Sequence, residues 1–430
     1  MKDSFIIAWR SLWRGRTLWT LLAAVVAAHV FLPGLIRTDG TVAGRIEMHI
    51  RVVSGTVAAL AYVVSLSLGC GSFAREREDE LLPLSLVRPV SAFALAAGRW
   101  LAFTLLAALV FSSNAVLLGL MPFTANLSPG ACRIHHAPSL PPAEVSAAKS
   151  MEAFLKSDKT PDEVKKAPRA AILALLTAKE NERYEVVKPG KTVTWPFSVH
   201  DRGRLAVRTR FSTLYNMKET LNGVFRYRGL EGVVSNSTQA VLEVPLSAKM
   251  DETGLPTLSW PFDATVLTGE LSFTNTGKAE VMLRPRRDIE ILAPGDSFLA
   301  NCLRATLEMI ALAALFAAFG MFLSAALSRP VALFTAAVLL AAAVMAPDAV
   351  SQFPDEFHAT TGERVGLAIS RAVTRFTAAL SEVSPVSDLA CGRAIPAVEL
   401  AKVAICDFLA WPALFLSLAA FILRRKPPTP

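Results

Sequence analysis

The stretch Met309-Ile310-Ala311-Leu312-Ala313-Ala314-Leu315-Phe316-Ala317-Ala318-Phe319-Gly320-Met321-Phe322-Leu323-Ser324-Ala325-Ala326-Leu327 carries no charge from end to end. An α-helix rises 1.5 Å per residue, so roughly 20 apolar residues cross the hydrocarbon core of a bilayer. The stretch has no period-two alternation, which excludes a barrel strand and predicts a spanning helix. Five further runs have the same character: Leu18–Leu35, Val52–Phe73, Trp100–Leu120, Val331–Ala346 and Val403–Leu423. The run at 331–346 is short, and spanning there needs flanking residues or a locally thinned bilayer.

Composition agrees. Of 430 residues, 53% are hydrophobic and 19% are charged, and the mean hydropathy is +0.42. A soluble domain runs near 45–50% apolar and about 25% charged, so disorder is excluded for most of the chain and lipid is where the surplus is buried. The net charge of +8 could suggest nucleic acid, but no basic motif with interleaved aromatics occurs, and no nucleic-acid partner is expected. Its more natural source is the bias of Lys and Arg toward cytoplasmic loops. Lys2, Arg10, Arg14, Arg16, Arg75, Arg77, Arg88, Arg99, Arg329, Arg424, Arg425 and Lys426 gather on one side if both termini lie inside. The basic start and the apolar run after it resemble a signal peptide, but the run is as long as a full span and no small-x-small site ends it. It is read as an uncleaved first helix.

The expected fold class is therefore an α-helical membrane protein with six transmembrane helices and an inserted α+β extracytoplasmic domain. Residues 1–17 form an amphipathic helix at the cytoplasmic surface, with Phe5, Ile6, Trp9, Leu12 and Trp13 set against Lys2, Arg10, Arg14 and Arg16. Residues 18–121 hold the first three spans, with a loop at 74–99 between the second and third. Residues 298–423 hold the last three, with an outer helical loop at 347–398, where Val365, Ala368, Ala372, Val373, Phe376 and Leu380 share one face. A cytoplasmic tail follows at 424–430.

The insertion, 122–297, changes character along its length. In the helical part, 141–183, Ala143–Lys156 and Pro161–Glu182 are predicted helices, the second opened by Thr160-Pro161. In the β-rich part, 184–293, the period shortens to two. Thr192–Val199, Leu205–Phe211, Val241–Leu246, Glu270–Thr274 and Glu280–Leu283 are predicted strands, and Asp201-Arg202-Gly203 and Asn275-Thr276-Gly277 are turns. Such short strands suggest a small β-sandwich. Gly190-Lys191-Thr192 resembles the end of a phosphate loop, but Glu185 stands where the first glycine belongs and a strand follows instead of a helix.

The cysteines Cys70, Cys132, Cys302, Cys391 and Cys406 form no CxxC. Cys132, Cys302 and Cys391 leave room for one bridge without requiring it. His135-His136 lacks ligands at metal spacing, and no serine elbow or HExxH occurs, so no catalytic set or metal site is expected. Asp407, inside the sixth span, is a candidate lining residue of a transport path, although Lys402 nearby offers a structural explanation. His29 in the first span is a second candidate, set against the commoner role of a core histidine. Arg304 and Glu308, four apart, are expected to pair on a helix rising out of the fourth span.

The loop between the second and third spans is the most informative for function. It reads Phe73-Ala74-Arg75-Glu76-Arg77-Glu78-Asp79-Glu80-Leu81-Leu82-Pro83-Leu84-Ser85-Leu86-Val87-Arg88-Pro89-Val90-Ser91, then Gly98-Arg99. A charged patch leads into a short apolar helix that Pro89 stops. Such an element can dock into a groove on a cytoplasmic partner. The pattern resembles the coupling region of type-2 ATP-binding-cassette (ABC) exporter permeases. In those, an acidic residue precedes a Thr-Leu-rich helix, then Pro-Val-Ser, then Gly-Lys. Here Glu78, Leu81 with Leu82, Pro89-Val90-Ser91 and Gly98-Arg99 match in turn, while Asp79-Glu80 replaces the usual Gly-Thr.

The resemblance implies a permease subunit of the bacterial inner membrane, with both termini cytoplasmic. It implies that Glu76, Glu78, Leu81, Leu82, Arg88, Pro89 and Val90 couple to a separate cytoplasmic ATPase, and that a second permease half, identical or different, completes the unit. ATP and magnesium would sit on the ATPase. This chain has no Walker A motif, and no enzyme activity or cofactor of its own is expected. The insertion would cap the outer exit, receive cargo or hold an extracytoplasmic partner. The alternative is a membrane-anchored receptor or assembly scaffold acting through that β-rich domain.

Overall fold

The computed structural model describes residues 1–35, 42–78, 91–120, 132–156, 169–181, 183–199, 205–210, 212–213, 221–236, 241–248, 267–345 and 384–425. The chain divides into two units. One comprises Met1–Cys132, Asp296–Pro347 and Val365–Pro430; the other comprises Arg133–Gly295 and Asp348–Arg364.

The first unit is helical. Helix α1 (Lys2–Arg14) turns through Gly15 and Arg16, whose φ is 60°, into α2 (Thr17–Leu35). Helix α3 (Val42–His49) runs through a π-helical turn, Ile50–Ser54, into α4 (Gly55–Ser72). Short α5 (Ala74–Glu78) follows, and α6 (Ala92–Leu120) opens beyond the loop. Among the described residues five helices are long and apolar enough to cross a membrane: Thr17–Gly34, Ile46–Glu78, Ala92–Leu120, Phe298–Ala326 and Ala397–Arg424. Their length and composition are those of a multi-pass membrane protein. The fifth expected span is helical but falls short of that length at 17 residues, Arg329–Met345.

Helix α1 does more than lie on a surface. Ser4 and Leu12 are buried, and the Ser4 hydroxyl donates to the Leu95 carbonyl of α6 at 2.7 Å. Gly98 makes this approach feasible: a Cβ there would stand 2.6 Å from the Met1 carbonyl oxygen. Ile7 and Trp13 stay exposed on the other face.

The second unit opens with β1 (Arg133–His136), followed by α7 (Ala143–Lys156) and α8 (Arg169–Asn181). The two helices pack through Ala147, Ile172 and Leu176. Residues 161–168, expected to open the second helix, lie outside the described residues. Then come β2 (Glu185–Val187), β3 (Thr192–Val199), β4 (Ala206–Arg210), β5 (Ser212–Thr213), β6 (Leu221–Tyr227), β7 (Leu230–Asn236), β8 (Val241–Pro245), β9 (Ser247–Ala248), β10 (Leu267–Asn275), β11 (Val281–Leu283) and β12 (Ile289–Pro294). A single-turn helix, α9 (Pro285–Asp288), precedes β12.

Among the described residues the sheets run β1-β12-β4-β8, β3-β10-β6-β7-β9 and β2-β11-β5, with antiparallel pairing throughout. They share one core, in which Trp195, Phe197, Phe225, Phe273, Val207 and Ile291 meet. On β4 the expected inward face is observed for Leu205, Val207 and Thr209; Phe211 lies outside the described residues. Gly190-Lys191 has no spare amides for a phosphate. The Gly190 N–H donates to the Asn275 carbonyl and that of Lys191 to Lys188.

After the insertion the chain returns to the helical unit with α10 (Phe298–Ala326), capped by the Ser297 hydroxyl, which accepts from the Ala300 N–H at 3.3 Å. Leu299, Leu303 and Leu307 leave one face of its first turns exposed, but from Glu308 to Ala325 it is buried on nearly all sides, which is the signature of a central helix. Then follow α11 (Arg329–Met345), α12 (Pro385–Ala390), α13 (Ala397–Val403), a second π-helical turn (Ala404–Ala410) and α14 (Trp411–Arg425). The expected amphipathic segment at 365–380 lies outside the described residues, as does the tail from 426. None of the five cysteines is joined in a disulfide.

Candidate functional site

The loop between α4 and α6 leaves α4 at Phe73, which is fully buried. The next turn, α5, is almost all charge, and three of its neighbouring charges tie it to other helices. The Arg77 guanidinium donates to the carbonyls of Ala325 at 2.5 Å, Ser324 at 3.3 Å and Leu327 at 3.5 Å. These are the last carbonyls of α10, which lack partners within the helix and carry the negative end of its dipole. Glu78 Oε1 accepts from the Arg329 N–H at 3.2 Å, placing an anion on the first turn of α11, where the dipole favours it. Arg99 of α6 donates to Glu76 Oε1 at 2.6 Å and to the Ser72 carbonyl at 2.7 Å, and lies over the Phe73 ring at 4.9 Å.

Of the seven residues expected to couple to an ATPase, Glu76 and Glu78 are therefore bonded inside this chain, to α6 and α11. The reason is local. The short α5 brings both carboxylates beside helix ends and an arginine with strong donors. Leu81, Leu82, Arg88, Pro89 and Val90 lie outside the described residues. The Gly98 position has the packing reason given above, the crossing of α1.

Asp407 is buried in the second π-helical turn. His29 is buried in α2, where its Nδ1 sits 3.0 Å from the Val25 carbonyl and its ring meets that of His49 edge-on at 5.8 Å. The expected Arg304–Glu308 pair is not made. Arg304 turns to Asp296 and to the Ile395 carbonyl at 2.8 Å, while Glu308, one turn deeper, is buried. The i, i+4 spacing put both on one helix face, but it could not anticipate stronger acceptors from another segment.

Asn301 was missed by sequence reading. Buried in α10, it donates to the Arg393 carbonyl at 2.7 Å and accepts from the Ile395 N–H at 2.7 Å, pinning the segment before α13. Asn114 of α6, also buried, donates to the Ser54 hydroxyl at 3.3 Å. A polar amide inside an apolar run was the available sign for both. Among the described residues no group of three or more His, Cys, Asp or Glu side chains is arranged to hold a metal ion.

No family model, curated protein or solved structure matches this chain.

Proposed function

We propose that this chain is the membrane-spanning subunit of an ATP-driven transporter resembling the type-2 ABC exporters. In this reading α11 serves as the fifth of six spans, the unit built on Arg133–Gly295 lies outside the cytoplasm, and both termini lie inside. A separate ATPase holds ATP and magnesium, and a second permease half completes the assembly. The observation that carries the reading is the set of bonds around α5. Arg77 holds the end of α10, Glu78 the start of α11, and Arg99 joins Glu76 to α6. A partner that grips residues 79–90 and tilts α5 thereby moves three other helices. Such a push does work only if the ATP-bound partner favours one arrangement of the helices over another.

The test is purification of the full chain from its native membranes, followed by an assay for ATP hydrolysis. An ATPase is expected to accompany the wild type and to be lost from a chain carrying both Glu78→Lys and Leu82→Asp. Retention of the ATPase by that double variant would remove the coupling assignment. Labelling of a cysteine placed at Thr213 from the cytoplasmic side would overturn the topology.

The receptor or scaffold reading has one observation in its favour, the separate apolar core of the β-rich unit. It would gain if the purified chain brought no ATPase activity with it.

A further inference from the structure

Two carboxyls face a difficulty that the coupling scheme does not use. Glu308 lies in α10 and Asp407 in the π-helical turn packed against it. Their residues are 1% and 2% exposed. Glu308 Oε1 and Asp407 Oδ1 each meet no hydrogen-bond donor. Each carboxyl nevertheless lies within the electrostatic reach of charges on several elements. Glu308 faces Asp407, Asp388 of α12, Glu399 of α13 and Arg393. Tyr62 of α4 stands in the field of Glu308, and Lys402 in that of Asp407.

Among the described residues this set brings four carboxyls to two cations. Arg393, which bears on Glu308, is already engaged, 3.4 Å from Asp388 and 3.8 Å from Glu399. Lys402 bears on Asp407 from an exposed position. Two like charges buried among apolar helices are held apart from water at a cost of several kcal/mol each, and a neutralising cation relieves it. Two carboxyls alone fall short of the six or more oxygens, roughly, that a hard metal cation gathers. A proton needs only one. The backbone adds a further sign: Asp407 sits where the helix takes a wider π turn, a feature that concentrates at functional positions.

We propose that Glu308 and Asp407, two buried carboxyls on packed elements, form a proton-binding site inside the helical unit. The proposal rests on the membrane placement of α10 and the Ala397–Arg424 helix, not on the ATPase pairing. Loss of the ATPase in the purification above would leave it untouched.

A hydrophobic carbodiimide tests it, because this reagent adds to protonated carboxylic acids and spares carboxylates. The full chain in detergent is labelled and its peptides are weighed. At about pH 7 the adduct on Glu308 or Asp407 is expected to exceed that on exposed Glu144 at least tenfold. Asp407→Asn is expected to lower labelling of Glu308 at the same pH at least about threefold, because the like charge that favours the neutral acid is gone. Glu308→Gln is expected to do the same to Asp407. Both changes keep the side-chain shape, and Glu144 reports any general rise from misfolding. Sodium chloride in place of choline chloride should change nothing. Failure to label either residue from about pH 6 to about pH 9 would overturn the proposal. So would equal labelling in the single variants, and protection by sodium would assign the site to a metal cation instead.

Discussion

Gly69 of α4 and Gly320 of α10 face each other where the two helices cross. A Cβ on Gly320 would lie 2.6 Å from the Leu66 carbonyl oxygen, and one on Gly69 would collide with the Ala317 carbonyl. The obstacles are backbone atoms, which cannot rotate away. Without a hydrophobic drive between helices in lipid, this close approach is what gives the pair its dispersion contact. Gly320→Ala should therefore cost about 1–3 kcal/mol, and Gly320→Val more. Gly119→Ala in α6 is the control, since nothing lies within 4 Å of that position. Thermal unfolding in detergent should fall for the first two and stay level or rise for the third.

The bond between Glu76 and Arg99 should behave as part of a three-point contact. Their side chains are 27% and 12% exposed, so water screens the pair only in part. Arg99→Met loses the carboxylate, the Ser72 carbonyl and the Phe73 ring together, whereas Glu76→Gln loses one charge. We expect about 1.5–3 kcal/mol for the first and less for the second. Arg99→Lys should recover little, because one ammonium cannot reproduce the fork of donors. A double-mutant cycle on thermal stability checks this: if the two single effects simply add, the pair contributes nothing.

Asn275 closes the turn after β10. Its amide donates to the Val187 carbonyl at 2.9 Å and the Ala279 carbonyl at 2.8 Å, and its side-chain oxygen accepts from the Gly277 N–H at 2.9 Å. The residue is fully buried. Asn275→Ala strands those groups and should destabilise the β-rich unit by about 1–3 kcal/mol. Hydrogen exchange of the full chain should show β2, β10 and β11 opening sooner while α10 keeps its protection.

Acid should loosen the same unit through Glu290. Burial alone pushes its carboxyl up, but the hydrogen bond and charge of His135, with Arg208 and Arg210, outweigh it and leave the group below the usual carboxylate range. A depressed pKa contributes stability that is full above the unfolded value, about 4.3, and is lost as pH falls through the folded one. Protection of β12 and β1 should thus decline below about pH 4.3, and Glu290→Gln should flatten that decline. An unchanged acid limb in the variant would place the sensitivity elsewhere.

The spans were legible because crossing lipid leaves a gross mark, an unbroken apolar run such as Met309–Leu327. Strands with clear alternation, Thr192–Val199 among them, were legible for the same kind of reason. The β6–β7 hairpin was not. Its turn is Arg228-Gly229, with φ of 49° and 78°, and arginine in a left-handed position carries none of the warning that Asn-Gly would. Strand β12 escaped because Ile289–Pro294 is buried on both faces and does not alternate. At the loop between α4 and α6 the charges were visible, but their partners were not. Arg77 meets carbonyls some 250 positions away, with Leu327 the farthest in sequence, and main-chain acceptors have no signature in composition. Glu308 and Asp407 likewise stand on segments far apart in the chain, and only folding makes them neighbours.

Strand β1 pairs antiparallel with β12, so that Arg133 stands opposite Pro294. The first and last strands of the β-rich unit are thus about 5 Å apart, one strand spacing. The stretch from Arg133 to Pro294 leaves and rejoins the chain at neighbouring points. One short turn would suffice to bridge the gap that its excision leaves, and the apolar helices on either side would keep their order along the chain.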